Sequence, residues 1–233
     1  MDKVAVYAGT ENVFPQMYTA LKSLLINTEM DRVYLLIDKE KFPFHVPDNV
    51  KIIDVSEQPF FPSGGANSTS RWTYMDMLRC CLGMILPNED YVLWLDIDTI
   101  VDADISELWD IDMTGYFYAG ALEPKKSNLF FRYINTGLLM YNLDLLRDWN
   151  KEHELLDFLN TYHFVFPGQD VINLLCQGRL KIIDSEYNAS AWTTSCHRPK
   201  IIHFAAIKPE DYMQYWAYKK YEQKELMGGD GNG

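Results

Sequence analysis

Four apolar runs frame this chain: VAVYAG (4–9), RVYLLID (32–38), VKIIDV (50–55) and YVLWLD (91–96). Each is short and bounded by polar or turn residues, which predicts a buried strand. After the first, Pro15 stands where a first helical turn begins, and MYTALKSLL has helical apolar spacing. Strand, helix, strand is the start of a parallel α/β sheet. The fourth run is apolar throughout, which predicts a central place in that sheet. GYFYAGAL (115–122) and YINTGLLMYNL (133–143) predict two more strands, and KIID (180–183) and KIIHF (200–204) two short ones. Helices are expected over SRWTYMDMLRCCLGMIL, closed by Pro87, and at about 142–148, 151–162, 169–177 and 209–226, with Gly178 ending the fourth of these five. QPFFPSGGANSTS (58–70) is rich in Pro, Gly and Ser and reads as a loop, expected to be mobile and to order over a bound ligand. No repeat and no linker divides the chain. Residues 1–226 are expected to form one α/β domain with a Rossmann-like first half, and 227–233 a disordered tail.

The fourth run ends in LWLDIDTIV, which puts Asp96 and Asp98 one residue apart at the end of a buried strand. Two such charges repel each other and are costly to desolvate, and a cation is the usual resolution. An EF-hand loop counted from Asp96 reaches Glu107 at its twelfth position. It fails at Ile100 and Val101, where a ligand and a turn glycine are needed. A phosphatase with an Asp-x-Asp nucleophile needs a later lysine and a later acidic pair, and the chain has no Asp-Asp. A nucleotide-sugar site, in which the carboxylates hold a divalent ion on a diphosphate, is the third reading. On the short motif alone, two solvated loop acids would be the ordinary explanation.

The net charge of −12 and pI of about 4.8 oppose non-specific binding to nucleic acid or anionic lipid, both of which require basic surface. The start MDKVAVYAGT has no basic leader or long apolar run, and no stretch approaches the ~18 to 20 apolar residues of a membrane helix. Cys80, Cys81, Cys176 and Cys196 form no zinc or disulfide pattern and fit small core residues in a reducing compartment. The expectation is a cytoplasmic protein without a stable membrane anchor, with peripheral attachment to the inner membrane face left open. Asn67-Ser68-Thr69 and Asn188-Ala189-Ser190 match the glycosylation sequon but carry little weight without a secretion signal.

VAVYAGTEN, LWLDIDTIV, YINTGLLMYNL, GQDVINLL and IIHFAAIKP occur in this order. As a set they resemble glycosyltransferase family 8, over roughly residues 3–210. The resemblance implies a GT-A fold, a mostly parallel mixed sheet flanked by helices, and transfer of sugar from a UDP-sugar with retention. It implies that Asp96, Asp98 and His203 ligate the metal, and this donor set suits manganese, with magnesium also possible. It implies that Ala8, Thr10 and Asn12 lie in the segment that holds uracil and ribose, that Ile97 and Arg79 lie near the donor, and that Lys208 contacts the diphosphate. Glu123 would bind donor hydroxyls, with Asn135 near the sugar; Gln169 and Asp170 match the family's catalytic Gln-Asp, with Gln169 nearest the anomeric carbon. Lys208 would offset charge on the leaving phosphate. Because Gln169 is a poor nucleophile, same-face attack by the acceptor is expected, with the departing phosphate as base. The acceptor would be a carbohydrate, such as a cell-surface glycan, or another hydroxyl compound.

Three positions depart from the family pattern. Thr10 stands where aspartate is common, and Val13 replaces a frequent aromatic that stacks on uracil. Gly168 leaves no side chain where many members carry a carboxylate on the sugar. The expected consequence is a pocket altered around one hydroxyl, with preference moved from galactose toward glucose or another sugar. A non-catalytic nucleotide-sugar or carbohydrate binder on the same fold is the alternative. The aromatic segment YMQYWAYKKYEQKELM is expected to pack against the sheet rather than to stack on sugar rings.

Overall fold

A computed structural model describes residues 1–226, apart from 71, 72, 124, 125, 129, 192–195 and 197. The expected disorder of 227–233 therefore falls on residues outside those described. The chain runs through β1 (Val4–Gly9), α1 (Phe14–Asn27), β2 (Arg32–Ile37) and β3 (Val50–Asp54). It continues through α2 (Tyr74–Met77), α3 (Leu82–Ile85), β4 (Tyr91–Leu95) and β5 (Thr99–Val101). Next come β6 (Tyr118–Ala121), β7 (Leu138–Asn142), α4 (Leu143–Asp148), α5 (Lys151–Thr161) and α6 (Pro167–Leu175). Last are β8 (Leu180–Ile183), β9 (Ala189–Ser190), β10 (Ile201–His203), α7 (Pro209–Tyr212) and α8 (Trp216–Glu222).

Seven strands form the main sheet in the order β3-β2-β1-β4-β7-β6-β8. β4 is central, as its unbroken apolar character requires. β1, β2, β3 and β4 pair in parallel, whereas β7 runs antiparallel to both β4 and β6. Strand alternation sends Ala5 and Tyr7 of β1 to one face, and Val4 and Val6 to the other. α1 covers the first face with Phe14, Met17, Leu21 and Leu24, one helical stripe, while α2 to α6 cover the second. A three-stranded sheet, β5-β10-β9, sits at the carboxyl end of β4. Tyr212, Tyr218 and Tyr221 pack beneath it with Phe204 and are buried, as expected for the aromatic segment; Tyr215 and Trp216 remain exposed at 38% and 56%.

Two expected helices are interrupted. The one after residue 70 breaks into α2, a 3-10 turn at Leu78–Cys80, and α3. The Asp76 carbonyl accepts from Arg79 Nε at 2.7 Å, and the Gly83 N–H goes to the buried Glu152 carboxylate at 2.6 Å. Side chains thus take backbone groups that a continuous helix would pair. The C-terminal helix divides at Met213–Tyr215, where Tyr212 and Tyr215 both close on the Phe204 ring. Gly178 does not directly follow the last helical residue; α6 ends at Leu175, and Gly178 turns the chain toward β8 with φ +81°.

Candidate active site

Ligands in open α/β sheets bind beyond the carboxyl ends of the strands, and the chemistry-bearing residues of this chain gather there. Asp96 follows β4 directly, and Asp98 leads into β5. β10 pairs antiparallel with β5 so that His203 lies opposite Thr99, one residue from Asp98. The Phe204 N–H, bonded to the Asp98 carbonyl at 2.9 Å, holds that approach. One ligand atom from each of Asp96, Asp98 and His203 lies within 4.8 Å of the others.

The orientation of each group suits a cation. Asp96 Oδ1 is taken by Arg79 at 2.9 Å and by the Trp94 indole N–H at 2.8 Å. Its Oδ2 faces His203 Nε2 at 4.0 Å, and Asp98 Oδ1 lies 3.3 Å from the same nitrogen. His203 Nδ1 meets Asn188 Oδ1 at 2.8 Å. The Asn188 amide is itself oriented, because its Nδ2 donates to Asn135 Oδ1, which also accepts the Gly137 N–H. With Asn188 so oriented, His203 donates through Nδ1, and Nε2 of the neutral ring is left able to ligate a metal. Metal-binding histidines are commonly held in this manner. Two hard carboxylates and one imidazole fit manganese or magnesium.

Charge is balanced unevenly without a cation. Burial raises the Asp96 carboxyl above its usual range, against the pull of Arg79, and the neighbouring Asp98 adds to the rise. Burial also opposes ionisation of Asp98, but His203 beside it outweighs that and holds it low. Burial disfavours the charged form of His203 as well, yet Asp98 raises its pKa.

Arg79 connects this triad to the rest of the cleft. It is 3% exposed, and its NH2 reaches Asp76 at 2.7 Å as well as Asp96. Its NH1 donates to the Thr136 carbonyl and hydroxyl at 2.6 and 2.7 Å. Thr136 N–H and Oγ1 in turn donate to Gln169 Oε1 at 3.0 and 3.3 Å, while Gln169 Nε2 donates to the Tyr133 hydroxyl at 3.2 Å. Asp170 accepts from Tyr133 Oη and, at 2.8 Å, from the Phe166 N–H. Asn135 donates to Glu123 at 3.3 Å. One polar network thus joins Asp96, Arg79, Gln169 and Asp170, and a second runs from His203 through Asn188 and Asn135 to Glu123.

Other expected residues sit apart from these networks. Ala8 lies one residue before the end of β1 at Gly9, and Thr10 donates to Asn12 just beyond it. Ile97 packs partly buried on the α1 side. Lys208 stands at the start of α7, its side chain 77% exposed and 3.9 Å from Glu210, with no contact to the triad among the described residues. The 58–70 loop is pinned at Asn67, which is 3% exposed. Asn67 donates to the Leu159 and Tyr162 carbonyls and accepts the Phe164 N–H.

Gly168 differs in kind from the expectation. It is not an opening in the pocket: a β-carbon there would lie 2.8 Å from the Asp76 carbonyl oxygen, 2.9 Å from Arg79 Cδ and 3.1 Å from Asp76 Oδ2. Asp76, Asn188 and Gly137 are the site residues that sequence reasoning missed. Asn188 was hidden inside a glycosylation sequon, and Asp76 inside a helix pattern. Gly137 lies within the YINTG motif, and a β-carbon there would overlap the His203 ring.

Residues 5–212 match the family described as Glycosyl transferase family 8. The chain belongs to this family. Among curated proteins it is 28% identical over 171 residues to the glycosyltransferase GlyB of Streptococcus pneumoniae serotype 4, covering 61% of this chain and 42% of GlyB. It is 30% identical over 122 residues to the lipopolysaccharide 1,2-glucosyltransferase of Escherichia coli K12, covering 46% of this chain and 35% of that protein. The chain thus spans less than half the length of these relatives. Among solved structures, the galactosyltransferase LgtC in complex with donor and acceptor sugar analogs superposes with a TM-score of 0.70 at 19% identity, covering 94% of this chain and 95% of LgtC. The family 8 chain therefore has the GT-A fold, and the phosphatase reading of its Asp-x-Asp motif falls away.

Proposed function

We propose that this protein transfers a hexose from a UDP-sugar to a hydroxyl group of a carbohydrate acceptor, with retention, using manganese or magnesium. The observation that carries this reading is the convergence of Asp96 Oδ2, Asp98 Oδ1 and His203 Nε2, with Asp96 and His203 turned inward by their other hydrogen bonds. A divalent ion held there would bind the diphosphate and stabilise charge on the departing UDP. Arg79, fixed beside Asp96, keeps positive charge at the same end of the cleft. Val13 offers no ring to the base, but a cavity of about 560 Å³ beside Thr10 has Phe61 and Tyr74 in its wall. That volume suits a ligand subsite.

The polar network bears on how retention would arise. Gln169 Oε1 already accepts two hydrogen bonds from Thr136, and both Asp170 oxygens have partners. Gln169 is an amide and a poor nucleophile, and Asp170 is turned toward Tyr133 and the Phe166 N–H. This supports attack by the acceptor on the face from which UDP leaves, with the departing phosphate taking the acceptor proton. Gln169 and Asp170 then act by holding the wall of the sugar site. A cytoplasmic location belongs to the same proposal; the buried free thiols of Cys80, Cys81 and Cys176 fit a reducing compartment.

The test is UDP release from UDP-glucose and UDP-galactose with manganese, with and without a chelator. Release that the chelator stops is expected. Asp96→Ala and Asp98→Ala should each remove it, along with manganese-dependent UDP binding, while the melting temperature changes little. Full release by either variant would rule out the proposed metal site. Tight UDP-sugar binding with no release or transfer would favour the non-catalytic reading.

A further inference from the structure

Asp76, which shares Arg79 with Asp96 of the triad, is a carboxylate that no expectation used. We propose that it receives a hydroxyl of the donor sugar and so sets which hexose is accepted; this rests on the donor reading above. The Asp76 side chain is 23% exposed, whereas its partner Arg79 is buried at 3%. Asp76 Oδ1 and Asp96 Oδ1 share one guanidinium nitrogen, at 2.7 and 2.9 Å. Asp76 is therefore separated from a triad carboxylate by that single nitrogen. Among the described residues its Oδ2 has one long contact, 3.3 Å, from the Gly168 N–H. An ionised carboxylate has about four acceptor sites, so capacity remains for a hydroxyl donor.

The packing around Gly168 points the same way. The carbonyl and carboxylate of Asp76 fill the space that a side chain at 168 would need. Gln169, the next residue, belongs to the network anchored on Arg79 through Thr136. Asp76 thus touches both Arg79, which also holds Asp96 of the triad, and Gly168, the neighbour of Gln169. A hexose on a diphosphate held at the triad would come within reach of it.

A purely supporting role is a weaker account of Asp76. Arg79 is already fixed by the Asp76 main-chain carbonyl, by Thr136 and by Asp96. A carboxylate accepting from a substrate hydroxyl discriminates strongly, because the wrong epimer leaves a charged acceptor without its partner.

The experiment compares kcat/KM for UDP-glucose and UDP-galactose in the native protein and in Asp76→Asn, with UDP affinity and melting temperature measured alongside. Asparagine can still accept from Arg79 but presents a neutral amide to the sugar. The expected result is about a tenfold or greater loss with the preferred donor and a smaller change with the other, so that the ratio collapses. UDP affinity and melting should hold nearly constant. Asp76→Ala should show the same collapse. An equal loss with both donors, a fall in UDP affinity of the same factor, or no discrimination by the native protein overturns the inference. Absence of manganese-dependent UDP binding in the native protein would instead overturn the donor reading beneath it.

Discussion

Gly137 shows how one absent side chain determines the geometry of the candidate metal site. The His203 ring, about 5% exposed, occupies the place where a β-carbon on residue 137 would stand. The same residue gives its carbonyl to the Asp96 N–H at 2.8 Å and its own N–H to Asn135. Gly137→Ala cannot be absorbed by a rotamer change, because the ring is held by Asn188 on one side and faces Asp98 on the other. Overpacking of this sort costs about 1 to 3 kcal/mol. The expected outcome is a lower denaturation midpoint together with loss of manganese affinity, followed by calorimetric titration. Unchanged manganese affinity would mean that His203 is not a ligand. The YINTG motif was legible in the sequence, but the reason for its glycine was not, since the ring it accommodates comes from 66 residues later in the chain.

The junction of α3 and α5 carries a second measurable property. Glu152, near the start of α5, reaches under α3 and accepts the Gly83 N–H. It is 4% exposed, and burial raises its pKa from 4.5 to about 7, with the backbone amides of Gly83 and Met84 and the charge of Arg147 opposing the rise. The folded state therefore binds this proton more tightly than the unfolded chain. The protonated form contributes its full stability below about pH 4.5, and that contribution declines as the pH rises toward 7. The loss amounts to about 3 kcal/mol at about 1.4 kcal/mol for each pH unit between the two pKa values. Urea midpoints from pH 5 to 8 should fall in the native protein and stay flatter in Glu152→Gln, whose amide oxygen can still accept the Gly83 N–H. Parallel profiles for the two proteins would place the pH dependence elsewhere. A helix pattern over 70–86 contained no sign of this break, because the residue that causes it lies on another helix.

The candidate site exists only where the two sheets meet. The main sheet delivers Asp96 at the end of β4, and the small sheet delivers His203 at the end of β10. Asn188, in the turn before β9, ties one to the other by joining His203 Nδ1 to Asn135, ahead of β7. Removing a partner that orients a metal-binding histidine typically lowers metal affinity by about 10- to 100-fold. Asn188→Ala should therefore weaken manganese binding by that amount while the protein remains folded, as judged by titration and circular dichroism. Native affinity in this variant would show that the ring keeps its orientation without Asn188.

What could be read from residues alone was whatever depends on local pattern. The apolar runs specified the strands of the Rossmann-like half and the central place of β4. The Asp-x-Asp at its end marked the candidate metal site. Those inferences hold because periodicity and burial are properties of adjacent residues. The tertiary structure alone decided contacts between distant segments. It placed Asp76 against Gly168, closed the position that looked open, joined Asn188 to His203, left Lys208 in solvent and broke two helices. Each of these depends on which side chain fills a given volume or takes a given backbone group, and that is settled only when the sheets and helices pack together.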